Sequence, residues 1–405
     1  MKKISVLLVA FLLLLTACSQ TPKNAETTVS GTSESEMSTA YELKVAPEDR
    51  NQAFRWSSFV ETSEAYYYGW NHLIYFCPRG ADTFYPLCGK PNCIHDDKNC
   101  NAWFDGFCLG YYDGALYATN ESSDAMGARL PIIRIELDGT NHEEVAQVDV
   151  SEVMGLGYTY TFHHGKLFIQ SQSIFGFGAT DKDDHLIVLD LSDYSVTEPT
   201  ADYLCTAKLP DMVSFYKDKL YGIGTDSKEV LNGSNDYLIE LDAVTGEARK
   251  LPSLERSNSF YATDDTFCFF ETNHTERSDE LIAGIVPGFR ELDLESGEVR
   301  FIGMPVEDIV SALYDEDYIY AFSYDDINRR DSDSSLYILS RNYELVDQFE
   351  LKHGQFVYAV TSDRIFLSDT HPDTRISWYL NKSQIGSHNL TPLPIETVSG
   401  GRTPG

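Results

Sequence analysis

Asp218-Lys219-Leu220-Tyr221, followed by Ile239-Glu240-Leu241-Asp242-Ala243-Val244-Thr245-Gly246-Glu247, is the stretch that decides the fold. The first piece sets a charged turn against a short apolar strand that ends in an aromatic ring. The second is an alternating strand stopped by Leu-Asp and a glycine corner. Asp opens such a corner by accepting from backbone amides two residues on, and Gly takes the positive φ that closes it. Both pieces recur. The first returns as Glu64-Ala65-Tyr66-Tyr67, Asp113-Gly114-Ala115-Leu116-Tyr117, Gly165-Lys166-Leu167-Phe168, Asp265-Thr266-Phe267-Cys268, Asp317-Tyr318-Ile319-Tyr320 and Asp363-Arg364-Ile365-Phe366, which makes seven copies with end residues spaced by 50, 51, 53, 47, 52 and 46. The second returns as Glu291-Leu292-Asp293-Leu294-Glu295-Ser296-Gly297-Glu298, and in weaker form at Ile187 to Asp190 before Ser192 and at Ile133 to Leu137 before Asp138-Gly139.

Each unit therefore supplies four short strands rich in Tyr, Phe, Ile, Val and Leu, with turns every eight to twelve residues. Helical periodicity is nearly absent beyond the first 17 residues. Four-stranded units repeated seven times at about 50 residues match an all-β, seven-bladed β-propeller, whose blades bury their faces on each other around a channel. A linear β-solenoid has shorter repeats and needs polar caps at both ends.

The N-terminus has a different character. Lys2 and Lys3 precede an almost unbroken apolar run from Ile4 to Leu15, closed by Leu15-Thr16-Ala17-Cys18. This is the layout of a secretory signal. These twelve residues, all apolar but Ser5, rise only about 18 Å as a helix, against roughly 30 Å of bilayer core, so the run is too short for a stable span. Leu-Thr-Ala-Cys resembles the bacterial lipobox, which implies removal of residues 1–17 and acylation of Cys18, with the body held at the outer face of the cell membrane. Each buried methylene adds about 0.8 kcal/mol, so two or more acyl chains make a lasting anchor. Residues 18–50 are poor in apolar side chains and rich in Ser, Thr, Glu and Ala, and are expected to be a disordered tether. The propeller is expected over 51–396, with a Cys-rich loop at 88–108 and a disordered tail over 397–405.

Acids outnumber bases by 63 to 31, and two of the lysines lie in the signal. Nucleic acid and anionic headgroups are therefore poor partners for the body, and the charge itself speaks mainly to solubility.

One segment breaks the repeat: Leu87-Cys88-Gly89-Lys90-Pro91-Asn92-Cys93-Ile94-His95-Asp96-Asp97-Lys98-Asn99-Cys100. Cys88, Cys93, His95 and Cys100 are four ligand types that suit a tetrahedral structural zinc with no open position. Cysteines outside the cytoplasm also form disulfides, and disulfides among these three are the alternative. With Cys18 acylated seven thiols remain, so disulfides alone strand one, whereas a three-cysteine metal site leaves four. Cys77 and Cys108 flank the box as a candidate disulfide pair; Cys205 and Cys268 sit in apolar strands and read as buried free thiols.

The lipobox and the Leu-Cys-x-x-Pro-x-Cys-x-His-x4-Cys box together resemble a family of surface lipoproteins of anaerobic Gram-positive bacteria. In them a propeller broadly similar to TolB follows the anchor. The resemblance implies location and fold and carries over no catalytic residue; the anaerobic setting it implies favours metal over disulfide.

Enzyme signatures fail one by one. There is no G-x-S-x-G elbow. His142-Glu143-Glu144-Val145-Ala146 has Ala where a zincin needs its second histidine. Asp181-Lys182-Asp183-Asp184 and Asp331-Ser332-Asp333-Ser334-Ser335 lack the Gly turn and distal Glu of a calcium loop. Paired carboxylates for glycoside cleavage are not legible among so many acids. Trp70, Trp103 and Trp378 have faces suited to stacking on sugars, although blade cores use the same residues. The expectation is a monomeric, non-catalytic binding or scaffold module for a protein or glycan at the cell surface. The alternatives are an extracellular enzyme on carbohydrate or peptide at the channel mouth, and an envelope sensor or assembly factor.

Overall fold

A computed structural model describes residues 41–49, 58–106, 108–119, 129–150, 158–171, 186–198, 211–225, 236–252, 257–272, 274–275, 278–281, 286–323, 334–352, 354–369 and 375–398. The signal, Cys18, Cys205, Asp181 to Asp184, Asp331 to Asp333 and residues 399–405 lie outside them. Among the described residues no helix is long and apolar enough to cross a membrane.

Seven antiparallel sheets follow one another along the chain, each built from four strands. The chain is a seven-bladed β-propeller. The first strands are Phe59–Glu61, Leu109–Tyr112, Tyr158–His163, Asp211–Tyr216, Ser257–Ala262, Ser311–Tyr314 and Gln355–Val360. Neighbouring first strands of blades one to three and of blades four to six touch one another and wall the channel. The second strands are Ala65–Trp70, Ala115–Thr119, Lys166–Ser171, Lys219–Thr225, Thr266–Glu271, Tyr318–Phe322 and Arg364–Asp369. In blade five a small hairpin, His274–Thr275 with Ser278–Leu281, is inserted before the third strand.

The seven repeat anchors Tyr67, Tyr117, Phe168, Tyr221, Cys268, Tyr320 and Phe366 each fall at the third residue of a second strand, and all are buried. The reason is visible in the seams. Phe168 meets Phe215 of blade four with ring centroids 5.3 Å apart, Tyr221 meets Phe267 of blade five at 5.1 Å, and Phe366 meets Tyr66 of blade one at 5.0 Å. An aromatic side chain buried this way contributes about 1.5–3 kcal/mol through removed apolar area. The corners behave as their sequences require: Asp242 accepts from the amides of Val244 and Thr245 at 2.9 and 2.8 Å, Asp293 does the same for Glu295 and Ser296, and Gly246 and Gly297 take φ of +70° and +73°.

A ring must close. Blade seven is made of consecutive strands, and a short strand after it, Glu396–Thr397, pairs in parallel with the outer strand of blade one, Thr83–Pro86. Thr397 and Val398, expected in the tail, are thus part of the closure: the Val398 amide donates to Phe84 O at 2.9 Å. Inside the same seam Arg79 donates to Glu61 at 2.6 Å and to Asp363 of blade seven at 2.8 Å, while Tyr66 donates to Asp363 at 2.5 Å. Glu61 also accepts from the Ser362 amide at 2.9 Å.

Residues 41–49 correct the expected extent of the tether. Tyr41 donates its amide to Ser63 O of blade one, Lys44 pairs with Asp317 of blade six at 2.6 Å, and His164 of blade three binds Glu48 O through its amide and Asp49 through Nδ1 at 2.7 Å. A strap of low hydrophobicity is held here by backbone and charged contacts that composition does not reveal.

Arg79→Ala leaves Glu61 fully buried without its cation. Removing one partner of a buried pair costs about 3–5 kcal/mol; urea unfolding of the variant should show a loss of that size, and an unchanged midpoint would mean that the pair does not hold the ring.

Candidate metal centre and channel mouth

The Cys-rich loop leaves the outer strand of blade one at Pro86 and returns to blade two at Leu109. Left-handed residues at Asn92 and His95, with φ of +58° and +56°, fold it back on itself. The result is that Sγ of Cys88, Cys93 and Cys100 and a ring nitrogen of His95 all lie within 4.8 Å of one another. In a tetrahedral zinc site sulfurs sit about 3.8 Å apart, as Zn–S of 2.3 Å requires. The group needs to contract by about 1 Å at most to fit. His95 Nδ1 is already 3.2 Å from Cys100 Sγ, so Nδ1 is the nitrogen on offer. The geometry suits one ion, and the four residues could hold a metal.

The electrostatics fit that use. Burial pushes the Cys88 thiol up, but amides of Lys90 and Asn101 and the thiols of Cys100 and Cys93 outweigh it and leave Cys88 below its usual value. Burial carries Cys100 up to about 12 and lowers His95 from its ordinary value. A proton held between thiols is what a metal ion displaces.

None of the six described cysteines is in a disulfide. Cys77 and Cys108, offered by their positions as a pair, are not joined to each other: Cys77 donates to Ala81 O at 3.4 Å within blade one, and Cys108 to Tyr160 O of blade three at 3.6 Å. The two face different seams, which their nearness to the box in sequence conceals. Cys268 is a buried free thiol, as its apolar strand suggested.

A connection between two blades can project from one face of the disc without joining its core. The Cys-rich loop joins it. Leu87, Cys100, Ala102 and Phe104 belong to the largest apolar cluster of the molecule. Ile74 donates its amide to Ala102 O at 2.7 Å, Phe104 donates to His72 O at 2.8 Å, and Trp103 bridges Leu73, so the returning limb pairs with the start of the third strand of blade one. The Phe104 ring covers Gly69, where an added Cβ would stand 2.5 Å from it; only a glycine allows that approach. On the other side His142 bonds Asn101 O at 2.7 Å, and Glu143–Asp149 is a strand where a zincin would have a helix.

A second feature lies at the channel mouth. The strap and the turns between first and second strands of blades three, four, five and six enclose a cavity of about 260 Å³ lined by Lys44, Asp49, His163, Tyr216, Lys217, Tyr261, Tyr314, Asp315 and Glu316. His163, Tyr216 and Asp315 occupy the place five residues before their anchors Phe168, Tyr221 and Tyr320. Aligning the repeats on the anchors, and asking which position varies in charge, would have found them. Most of the ionisable groups are spoken for: His163 hydrogen-bonds Lys217 O at 2.9 Å, Lys217 pairs with Asp264 at 2.6 Å, and Asp315 is buried against Lys382 at 2.7 Å. Burial pushes Asp315 up, but the Lys382 charge prevails and holds it below its ordinary value. Trp70, Trp103 and Trp378 do not line this cavity; they pack against apolar clusters of blades one and seven.

No family model matches the sequence, and no curated protein matches it. Among solved structures the fold is similar to that of a chain from a structural and mechanistic analysis of two prolyl endopeptidases, with a TM-score of 0.51 and 10% identity over 84% of this chain and 48% of that one. The chain spans about half the length of that relative. The β-propeller domain of the Trilobed protease from Pyrococcus furiosus is similar with a TM-score of 0.44 and 11% identity, covering 84% and 95% of the two chains. TolB from Acinetobacter baumannii gives 0.35 and 14%, covering 81% and 79%.

Burial lowers His163 from its ordinary value of 6.5 to about 3. The unfolded chain binds a proton there below pH 6.5 and the folded chain does not, so this residue's contribution to stability is intact above pH 6.5 and is lost as the pH falls toward 3, by about 1.4 kcal/mol per pH unit. His163→Gln should flatten the acid limb of the stability profile by one proton, measured by urea unfolding between pH 7 and 4; an unaltered slope would show that His163 is protonated in the fold.

Proposed function

We propose that this chain is a non-catalytic binding module, a β-propeller displayed at the outer face of the membrane through acylated Cys18, in which Cys88, Cys93, His95 and Cys100 hold one structural zinc. The observation that carries the non-catalytic reading is the pairing at the mouth. His163, Lys217, Asp315, Lys44 and Asp49 each have a partner within 2.9 Å. A general base or nucleophile must be able to turn a lone pair toward substrate, and these groups are tied to partners in the seam and strap. The closed Cys3His shell likewise leaves no position for substrate. The tyrosine walls and the acidic turns around the mouth suit a glycan or a protein segment with positive charge.

The enzyme reading rests on one observation, that ionisable groups of blades three, four and six meet at the mouth. A panel of cell-wall glycans and peptides separates the two. The mature domain is expected to retain a ligand without forming product by mass spectrometry, and Tyr216→Ala to weaken retention about tenfold, as removal of an aromatic anchor does. Product that disappears in His163→Ala would establish catalysis instead. For the anchor, Cys18→Ala is expected to abolish labelling by a fatty-acid probe and release the protein from membranes; labelling equal to that of the parent chain would remove Cys18 from the account.

A further inference from the structure

The ligands of the Cys3His group differ in access. Cys100 is buried, whereas Cys88 and Cys93 are half-buried, on the outer limb of the loop. Cys100 accepts from the Ala102 amide at 3.3 Å, and two residues further Phe104 enters the core over Gly69. The buried ligand is therefore continuous with the limb that pairs with blade one, while the two accessible ligands lie where a small solute reaches them first. Cys88 and Cys93 are five positions apart, and the left-handed turn at Asn92 between them already brings their sulfurs within 4.8 Å.

Resting on the zinc reading above, we propose that the centre is a redox-released clip, in which a peroxide joins Cys88 to Cys93 as a disulfide, sets zinc free and unseats the limb from Cys100 to Phe104. The chemistry balances. One thiolate attacks a peroxide oxygen, the O–O bond breaks, and the departing oxygen takes a proton and leaves as water, with a sulfenic acid on the sulfur. The second thiolate attacks that sulfur, the S–S bond forms, and hydroxide leaves and takes a proton as a second water. Two sulfurs are oxidised by two electrons in total and the peroxide is reduced by two. Zinc then keeps only Cys100 and His95, half of the shell that a structural site needs. Without the metal Cys100 keeps its 3.2 Å contact with His95 Nδ1, and the limb rests on its own bonds, from Ile74 to Ala102, from Phe104 to His72 and from His142 to Asn101 O.

Zinc content of the purified mature domain is measured first; less than one ion per chain, with the four side chains still reduced, would refute the zinc reading itself. The loaded protein is then treated with hydrogen peroxide, with zinc followed by a chromogenic chelator, the disulfide by peptide mapping, and the amides of Ile74 and Phe104 by hydrogen exchange. The expected result is one zinc released per Cys88–Cys93 disulfide, exchange at both amides faster by about tenfold, and reversal by a thiol reductant with zinc. Chelator alone should speed the same amides without a disulfide, and Cys93→Ser, if it still binds zinc, should keep it under peroxide. Zinc retained in the parent chain, release through a bond to Cys100, or release with both amides as protected as before would each overturn the proposal.

Discussion

Each blade sets the third residue of its second strand, an aromatic ring in every blade but the fifth, against the next blade, and everything else in the ring depends on that contact. Six apolar clusters lie at the seams between neighbouring blades, with the largest spanning both flanks of blade one. A four-stranded sheet alone cannot bury its faces; seven of them can, provided that each supplies both the projecting ring and the surface that receives the ring before it. The anchor positions are therefore under one constraint repeated seven times, and the period near 50 is the length of chain needed to weave four strands and come back to the channel. Cys268 meets that constraint with sulfur in place of a ring, in a seam where Tyr314 and Tyr343 supply the aromatic bulk.

Closure uses different means from propagation. At the seam of blades seven and one the aromatic packing of Phe59, Tyr66 and Phe366 is joined by the Arg79 network, by the parallel strand after blade seven and by the strap. Propagated seams are also held by chain connectivity, and that of blades six and seven adds the buried pair of Lys382 with Asp315. The seam of blades one and two has the other special device, the Cys3His loop, whose Phe104 occupies the space over Gly69. Blade one is thus braced on both sides, by the Arg79 network on one and by the Cys-rich loop on the other.

Much of the candidate site was legible early. A spacing of C-x4-C-x-H-x4-C confines four ligands to one loop, and such a loop can hardly keep them apart. What it does not encode is whether sulfurs meet pairwise at 2 Å or as a group at ligand distance, nor that the loop buries its returning limb. That limb pairs with Leu73 and Ile74, some thirty residues away in sequence, and the partner glycine at Gly69 has no signature of its own. The mouth was illegible for a related reason. His163, Tyr216 and Asp315 sit at one repeat position with three unlike side chains, so a search for sameness passes over them.

The amino-acid sequence alone determined the blade count, the strand order within a blade and the corners, because alternation, turn chemistry and the anchor spacing are local properties of a chain of L-residues. Only the tertiary structure decided the rest. Lys44 and Asp317 are 273 positions apart, and Tyr66 and Asp363 297. No local preference foretells such pairs; they exist because seven seams, each satisfied by its own anchor, curve the chain round until its first blade stands beside its last.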